Sequence, residues 1–282
     1  MYIPEKGEDV HFPGLPRSAR NDGTSSSSRG PEGRGDPVIF AQGGYKRVLL
    51  KISGEALASI NPDEDQSRGI DQRMLEKIAQ DIKGVYAENI QICLVVGGGN
   101  IYRGVHGMAK HGMDRTTSDQ MGMLATVING LALHNAIQNE GVPCRLMSAI
   151  PIPAISEPYV PKRALRHLEK NRVVLFVAGT GNPYFTTDTA AALRASEMGC
   201  DLLLKATKVQ GVYTKDPVHH KDAVFLPRLT YDQVLDQNLG VMDTAAIALT
   251  RENSVPIAVF SIYENDGFAK VINGQGRFTL IQ

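Results

Sequence analysis

What most constrains this chain is an alternation of period. From Tyr45 onward, short β-branched and aliphatic runs are separated by longer stretches with helical spacing. The runs are 47–52, 90–96, 144–149, 172–178, 201–206 and 256–261. Strands that alternate with helices form βαβ units, so the pattern predicts an α/β fold around a mainly parallel sheet. Helical periodicity covers Gln72 to Ala87 and Thr117 to Glu140. In the second stretch Met121, Leu124, Ile128 and Leu131 fall at i, i+3, i+7 and i+10, and Gly141 supplies the stop. That spacing predicts a core-facing stripe. The last run, Phe278 to Ile281, predicts an edge strand.

The unusual residues fall where these strands end. The first strand closes in Lys51-Ile52-Ser53-Gly54, the second in Gly97-Gly98-Gly99-Asn100, and the run at 172–178 in Gly179-Thr180-Gly181-Asn182. The run at 201–206 leads into Lys205-Ala206-Thr207-Lys208. In an open parallel sheet these ends share one side, and ligands bind in the crevices there. Gly97 to Gly99 lack Cβ atoms, so backbone N–H groups can approach an anion; a tight turn alone also accounts for them. Arg103, a few residues on, can fork onto a phosphate. Lys51 ends an apolar strand, where an ammonium group is costly unless it meets an anion or solvent.

Between Gly179 and Asp188 the glycines give a tight path, Thr186 and Thr187 are caps, and Asp188 opens a helix over Thr189 to Met198. An ordinary capped helix start has the same composition. Asp188 can also organise nearby lysines or a magnesium ion. Asp119, near the start of the long helix, is either a first-turn acid or a ligand for a ribose hydroxyl.

Charge sets a further limit. Lys+Arg and Asp+Glu are equal at 30 each, so no global positive field exists to hold nucleic acid or an anionic membrane, and an anionic ligand must be caught locally. Cys93, Cys144 and Cys200 are far apart in apolar surroundings, which predicts core thiols in a reducing cytoplasm. No apolar run reaches the roughly 18 residues of a membrane span. Residues 1–44 are rich in Gly, Pro and Ser and predict a disordered extension before a single catalytic domain over 45–282. A Walker A loop, a dinucleotide fingerprint, a zinc-ligand cluster and a serine-hydrolase elbow are all missing from the sequence.

Taken together, Tyr45-Lys46-Arg47-Val48-Leu49-Leu50-Lys51-Ile52-Ser53-Gly54-Glu55-Ala56-Leu57, the Gly-Gly-Gly-Asn turn with Arg103-Gly104, Met121-Gly122-Met123-Leu124-Ala125-Thr126, Gly179-Thr180-Gly181-Asn182-Pro183 and Lys205-Ala206-Thr207-Lys208-Val209-Gln210-Gly211-Val212-Tyr213 resemble the bacterial uridylate kinases of the amino-acid kinase superfamily. The resemblance runs from about Tyr45 to the end. It implies a three-layer αβα sandwich, a homohexamer, Mg²⁺-ATP as donor, UMP as acceptor, and GTP activation with UTP inhibition. Carried over residue by residue, it implies catalytic roles for Lys51, Arg103, Asp188, Lys205 and Lys208. ATP contacts would come from Lys51, Ile52, Ser53, Gly54, Gly99, Arg103, Thr207, Tyr213 and Asp216. UMP contacts would come from Gly98, Asp119, Thr180, Gly181, Asn182, Pro183, Tyr184, Phe185, Thr186 and Thr187, with Asp243 a further acid near the site. No metal ligand comes from the chain itself. Gln210 stands where the family commonly has an acid, and the N-terminal extension has no counterpart. A carboxylate or carbamate kinase of the same superfamily, or a non-catalytic nucleotide-binding assembly, is the alternative.

Overall fold

The structure, a computed structural model, describes residues 44–58, 69–102 and 112–282. The expected extension, Gly44 apart, and Arg103 lie outside the described residues.

Each apolar run forms a strand: β1 (Arg47–Ile52), β2 (Gln91–Val96), β3 (Cys144–Ser148), β5 (Val173–Val177), β6 (Leu202–Thr207) and β10 (Ile257–Ser261). Short strands β4 (Glu157–Pro158) and β9 (Arg228–Leu229), with β11 (Phe278–Ile281), complete a sheet of order β4-β3-β5-β2-β1-β6-β10-β11-β9. Neighbours run parallel except β10 and β11. Phe278–Ile281 is therefore not the edge, because β9 pairs outside it. A separate hairpin joins β7 (Val212–Tyr213) to β8 (Phe225–Leu226).

The helices are α1 (Gln72–Ala87), α2 (Arg115–Asn139), α3 (Pro161–Glu169), α4 (Thr187–Met198), α5 (Tyr231–Asp236), α6 (Thr244–Glu252) and α7 (Gly267–Ile272). On one face of the sheet α1 packs between α2 and α7; on the other, α4 packs against α3 and α6, and α5 against α6. This is the three-layer sandwich. Ala191, Ala192 and Ala195 of α4 share a core with Leu49, Cys93 and Leu203, and their small side chains let the helix lie close over β1, β2 and β6. All three cysteines are buried, and burial pushes the Cys144 thiol up to about 12.

The long helix departs from its sequence reading. Met121, Leu124, Ile128 and Leu131, expected to face the core, are 36, 48, 51 and 39% exposed. The buried face carries Ser118, Thr126, Asn129 and Gly130 together with Leu133, Ala136 and Ile137. Close approach explains this inversion. A Cβ on Gly130 would lie 2.3 Å from Val177 Cγ1, so only glycine permits the helix to lie this near β5. The apolar stripe is thus turned outward.

Candidate active site

Four strand ends carried the chemical signals, and β5, β2, β1 and β6 are the four contiguous strands at the middle of the sheet. Lys51 of β1 and Lys205 of β6 are paired in register, so both side chains leave the sheet on the same face. Asp188, in the first turn of α4, lies between them. Its Oδ1 is 2.6 Å from Lys51 Nζ and its Oδ2 is 2.9 Å from Lys205 Nζ. Lys205 Nζ also donates to the Val241 carbonyl. Burial alone would raise the Asp188 pKa, but the two ammonium groups outweigh it and hold the carboxyl below its ordinary value. Burial, helped by the like charge of Lys51, lowers the Lys205 pKa, and Asp188 works against that shift. The structure thus gives Asp188 the part of lysine organiser among its open readings. Lys208 is exposed in the turn just beyond β6 and is not one of the pair that grips Asp188.

The glycines lie where backbone meets backbone. A Cβ on Gly54 would fall 2.5 Å from Gly99 N, 2.7 Å from Asn100 Oδ1 and 2.9 Å from Gly97 O. Gly97 N donates to Ile52 O at 2.9 Å, so the turns leaving β1 and β2 are locked together. Ser53 and Gly54 open a 3-10 turn over Gly54–Leu57 that continues this rim.

Beside the rim is a cavity of about 360 Å³. Of the residues expected to hold UMP, Gly98, Asp119, Thr180, Asn182, Phe185, Thr186 and Thr187 line it, and so does Gly99; Gly181, Pro183 and Tyr184 belong to the same loop but do not line it. Asp119 has a role its two sequence readings did not include. Its Oδ2 accepts from Arg115 Nε and from Tyr184 N, both at 2.7 Å, and so ties α2 to the loop before α4. Tyr184 holds a left-handed φ of 73° there, and the Arg115 guanidinium lies 5.1 Å from its ring centre. Asp243 caps α6 through Ala246 N at 2.8 Å and accepts from the Thr186 and Thr189 hydroxyls, the latter at 2.7 Å. It therefore fixes the start of α4 from behind.

On the ATP side, Thr207 closes β6, with its Oγ1 accepting from Val209 N at 3.1 Å. Tyr213 lies on the β7–β8 hairpin edge-on to Phe225, and Asp216 is exposed just beyond it. Neither lines the cavity.

The sequence reading missed Tyr102, Ser118, Gly122, Met123 and Thr126 as cavity residues, whereas Gly179, expected at the ligand crevice, does line it. Ser118, Gly122 and Thr126 recur every four residues beside Asp119, a small and polar stripe that would have marked this helix face. Among the described residues no group of His, Cys, Asp and Glu is arranged to hold a metal ion.

Comparison with known proteins identifies the family. The amino acid kinase family matches residues 46–261. A uridylate kinase of Paramagnetospirillum magneticum is 54% identical over 237 residues, 84% of this chain and 96% of that protein. One from Roseobacter denitrificans is 52% identical over 241 residues, covering 86% and 97%. Among solved structures, a UMP kinase from Bacillus anthracis has a TM-score of 0.79 at 38% identity, covering 85% of this chain and 96% of that one. One from Ureaplasma parvum has a TM-score of 0.78 at 36%, covering 84% and 98%.

Proposed function

Because this chain belongs to the amino acid kinase family, we propose that the Lys51–Asp188–Lys205 group and the glycine turns around it carry out phosphoryl transfer between nucleotides. The chain moves the γ-phosphoryl group of ATP onto the phosphate of UMP, giving UDP and ADP. The observation that carries the assignment of roles is the pair of in-register lysines held by one largely buried carboxylate, Asp188, next in the chain to Thr187, which lines the cavity.

The acceptor needs no strong base. A phosphate with a second pKa of about 6 is already an anionic nucleophile at neutral pH. Its oxygen attacks the γ-phosphorus in line while the bond to the β-phosphate oxygen breaks, and negative charge spreads over the transferring group. Lys51 and Lys205 offset that charge, and N–H groups of the Gly97–Gly99 turn donate to phosphate oxygens. Asp188 keeps the two ammonium groups in place. Ile52, Ser53, Gly54, Gly99, Thr207, Tyr213 and Asp216 form the ATP side, and Gly98, Asp119 and the loop from Thr180 to Thr187 the UMP side. Arg103 and Lys208 enter on the sequence resemblance. Both Asp188 oxygens are committed to ammonium groups; a Mg²⁺ ion arriving with ATP would be held chiefly by the nucleotide and would offset part of the triphosphate charge.

The same reading places the enzyme in pyrimidine nucleotide biosynthesis in the cytoplasm. The buried free thiols support that setting. Among the described residues no helix is long and apolar enough to cross a membrane. The outward apolar stripe of α2 supports self-association, for which the resemblance implies a homohexamer. UTP shares its uridine with UMP and would compete for the same cavity; GTP activation rests on the resemblance.

The test is ADP release from ATP by the purified full chain, offered UMP, CMP, dUMP, glutamate, aspartate or carbamate. UMP-dependent turnover is expected, and turnover with a carboxylate or carbamate in its place would overturn the reading. Lys51→Ala should lower kcat by about 10²- to 10³-fold, the usual loss for one transition-state donor. Activity within a few-fold of the parent would remove Lys51 from the mechanism.

A further inference from the structure

The buried face of α2 carries polar groups that the mechanism leaves unused. Asn129 is fully buried and its amide pairs with that of Asn100: Asn129 Nδ2 donates to Asn100 Oδ1 at 2.7 Å, and Asn100 Nδ2 returns to Asn129 Oδ1 at 3.1 Å. The remaining donors reach backbone, Asn129 Nδ2 to Gly97 O at 2.7 Å and Asn100 Nδ2 to Gly69 O at 2.9 Å. One helical turn earlier, the Thr126 hydroxyl donates to Met123 O at 2.6 Å and accepts from Ala178 N at 2.7 Å. Ala178 is the residue at which the chain leaves β5, in a left-handed conformation with φ of 62°.

Gly97 opens the turn beside Lys51, and Ala178 opens the loop that lines the cavity. Residues at i and i+3 on one rigid helix therefore grip the backbone of both turns. An apolar side chain at either position would fill the same space, yet it would leave a buried Gly97 carbonyl or Ala178 N–H without its partner. Gly130 next to Asn129 brings the helix close enough to β5 for these bonds to form.

We propose that Thr126 and Asn129 are positioning residues for phosphoryl transfer: through Ala178 N and Gly97 O they set the spacing between the glycine turn where the two nucleotides meet and the loop that holds the acceptor. The inference rests on the phosphotransferase reading and deepens it. In-line transfer depends on the distance between two separately bound substrates, and a misplacement of about 1 Å can cost on the order of a hundredfold in rate. Loosening the brace should then lower kcat while each nucleotide still binds its own side.

The experiment first requires UMP-dependent ADP release from the parent; its failure would end the phosphotransferase reading rather than this one. Thr126→Val keeps the shape and removes the hydroxyl, whereas Thr126→Ser keeps the hydroxyl. For Thr126→Val, kcat is expected to fall about tenfold or more, with the KM values for ATP and UMP changing by less than about threefold. Thr126→Ser, which keeps the hydroxyl, should recover most of the kcat lost in Thr126→Val. Asn129→Ser, which removes the donor to Gly97 O, provides a second variant should the first not fold, with the same expected kcat loss. Rates are normalised to the folded fraction, read from UMP-binding stoichiometry by calorimetry. The proposal is overturned by parent-like kcat in folded Thr126→Val or Asn129→Ser, by an equal loss in Thr126→Ser, or by a kcat loss that disappears on normalisation.

Discussion

Replacing Asp188 with Asn isolates the electrostatic element of the site with little change in shape. In the parent, one carboxylate stands 2.6 and 2.9 Å from two ammonium groups that the parallel register of β1 and β6 puts side by side. The neutral amide leaves Lys51 and Lys205 repelling each other with no anion between them. Each lysine counts as one transition-state donor worth about 10² to 10³ in kcat. Groups that act as a unit do not lose their contributions additively, so the expected fall in kcat is about 10³-fold, or about 4 kcal/mol at 1.36 kcal/mol per tenfold. A second readout separates this cause from a general loss of structure. Asp188 opposes the burial and the Lys51 charge that lower the Lys205 pKa. Without it Lys205 gives up its proton at lower pH, and the alkaline limb of the kcat–pH profile moves in the acid direction. Stability has its own signature. The Asp188 pKa is depressed in the folded state, so the stabilisation from its ionised form is complete above the ordinary carboxyl value of 3.8 and is lost as pH falls through the folded value. Acid unfolding of the variant should lack that component. A folded Asp188→Asn enzyme with kcat within tenfold of the parent and an unmoved alkaline limb would refute the role given to Asp188.

The other predictions test separate contacts. Gly54→Ala puts a Cβ 2.5 Å from Gly99 N and 2.9 Å from Gly97 O, backbone atoms with no rotamer to yield; it should cost about 1–3 kcal/mol, and a parent-like urea midpoint would sink the contact. Asp119→Ala removes the acceptor shared by Arg115 and Tyr184 N. It should raise the KM for UMP by about tenfold or more, in line with losing a charge-assisted bond of about 1.5–3 kcal/mol, and a change confined to the KM for ATP would contradict the placement. Leu124→Glu with Ile128→Glu, at positions 48 and 51% exposed, should leave the subunit folded but reduce its assembly mass in sedimentation; an unchanged mass would remove α2 from the interface.

How much of this was legible in the sequence follows from what each residue type must satisfy. Buried strands have to be apolar whatever packs on them, so β1, β2, β3, β5, β6 and β10 could all be read as runs. Lys51 stood out because an ammonium group at the end of such a run needs an explanation. Its partner could not be read so directly. The strand end carries both Lys205 and Lys208, and only the register of β6 against β1 sets Lys205 opposite Lys51 and leaves Lys208 in an exposed turn. The links from Asp119 to Tyr184 and from Asp243 to Thr186 and Thr189 join distant stretches, and no local pattern encodes them.

The long helix α2 shows a different limit. Periodicity establishes that its faces differ, but not which face meets the sheet, and hydrophobicity points to the wrong one. The inward face was decided by close approach at Gly130 and by bonds from Thr126 and Asn129 to strand-end backbone, which need small or polar residues. A helix whose inner face mixes bonded polar groups with apolar residues, and whose outer stripe carries Met121, Leu124, Ile128 and Leu131, has apolar surface that the described residues leave exposed. If that stripe packs against another subunit, the surface that assembles the enzyme and the bonds that fix its two phosphate turns lie on opposite sides of one rigid element. Assembly would then limit the freedom of α2, and with it the freedom of Gly97 and Ala178.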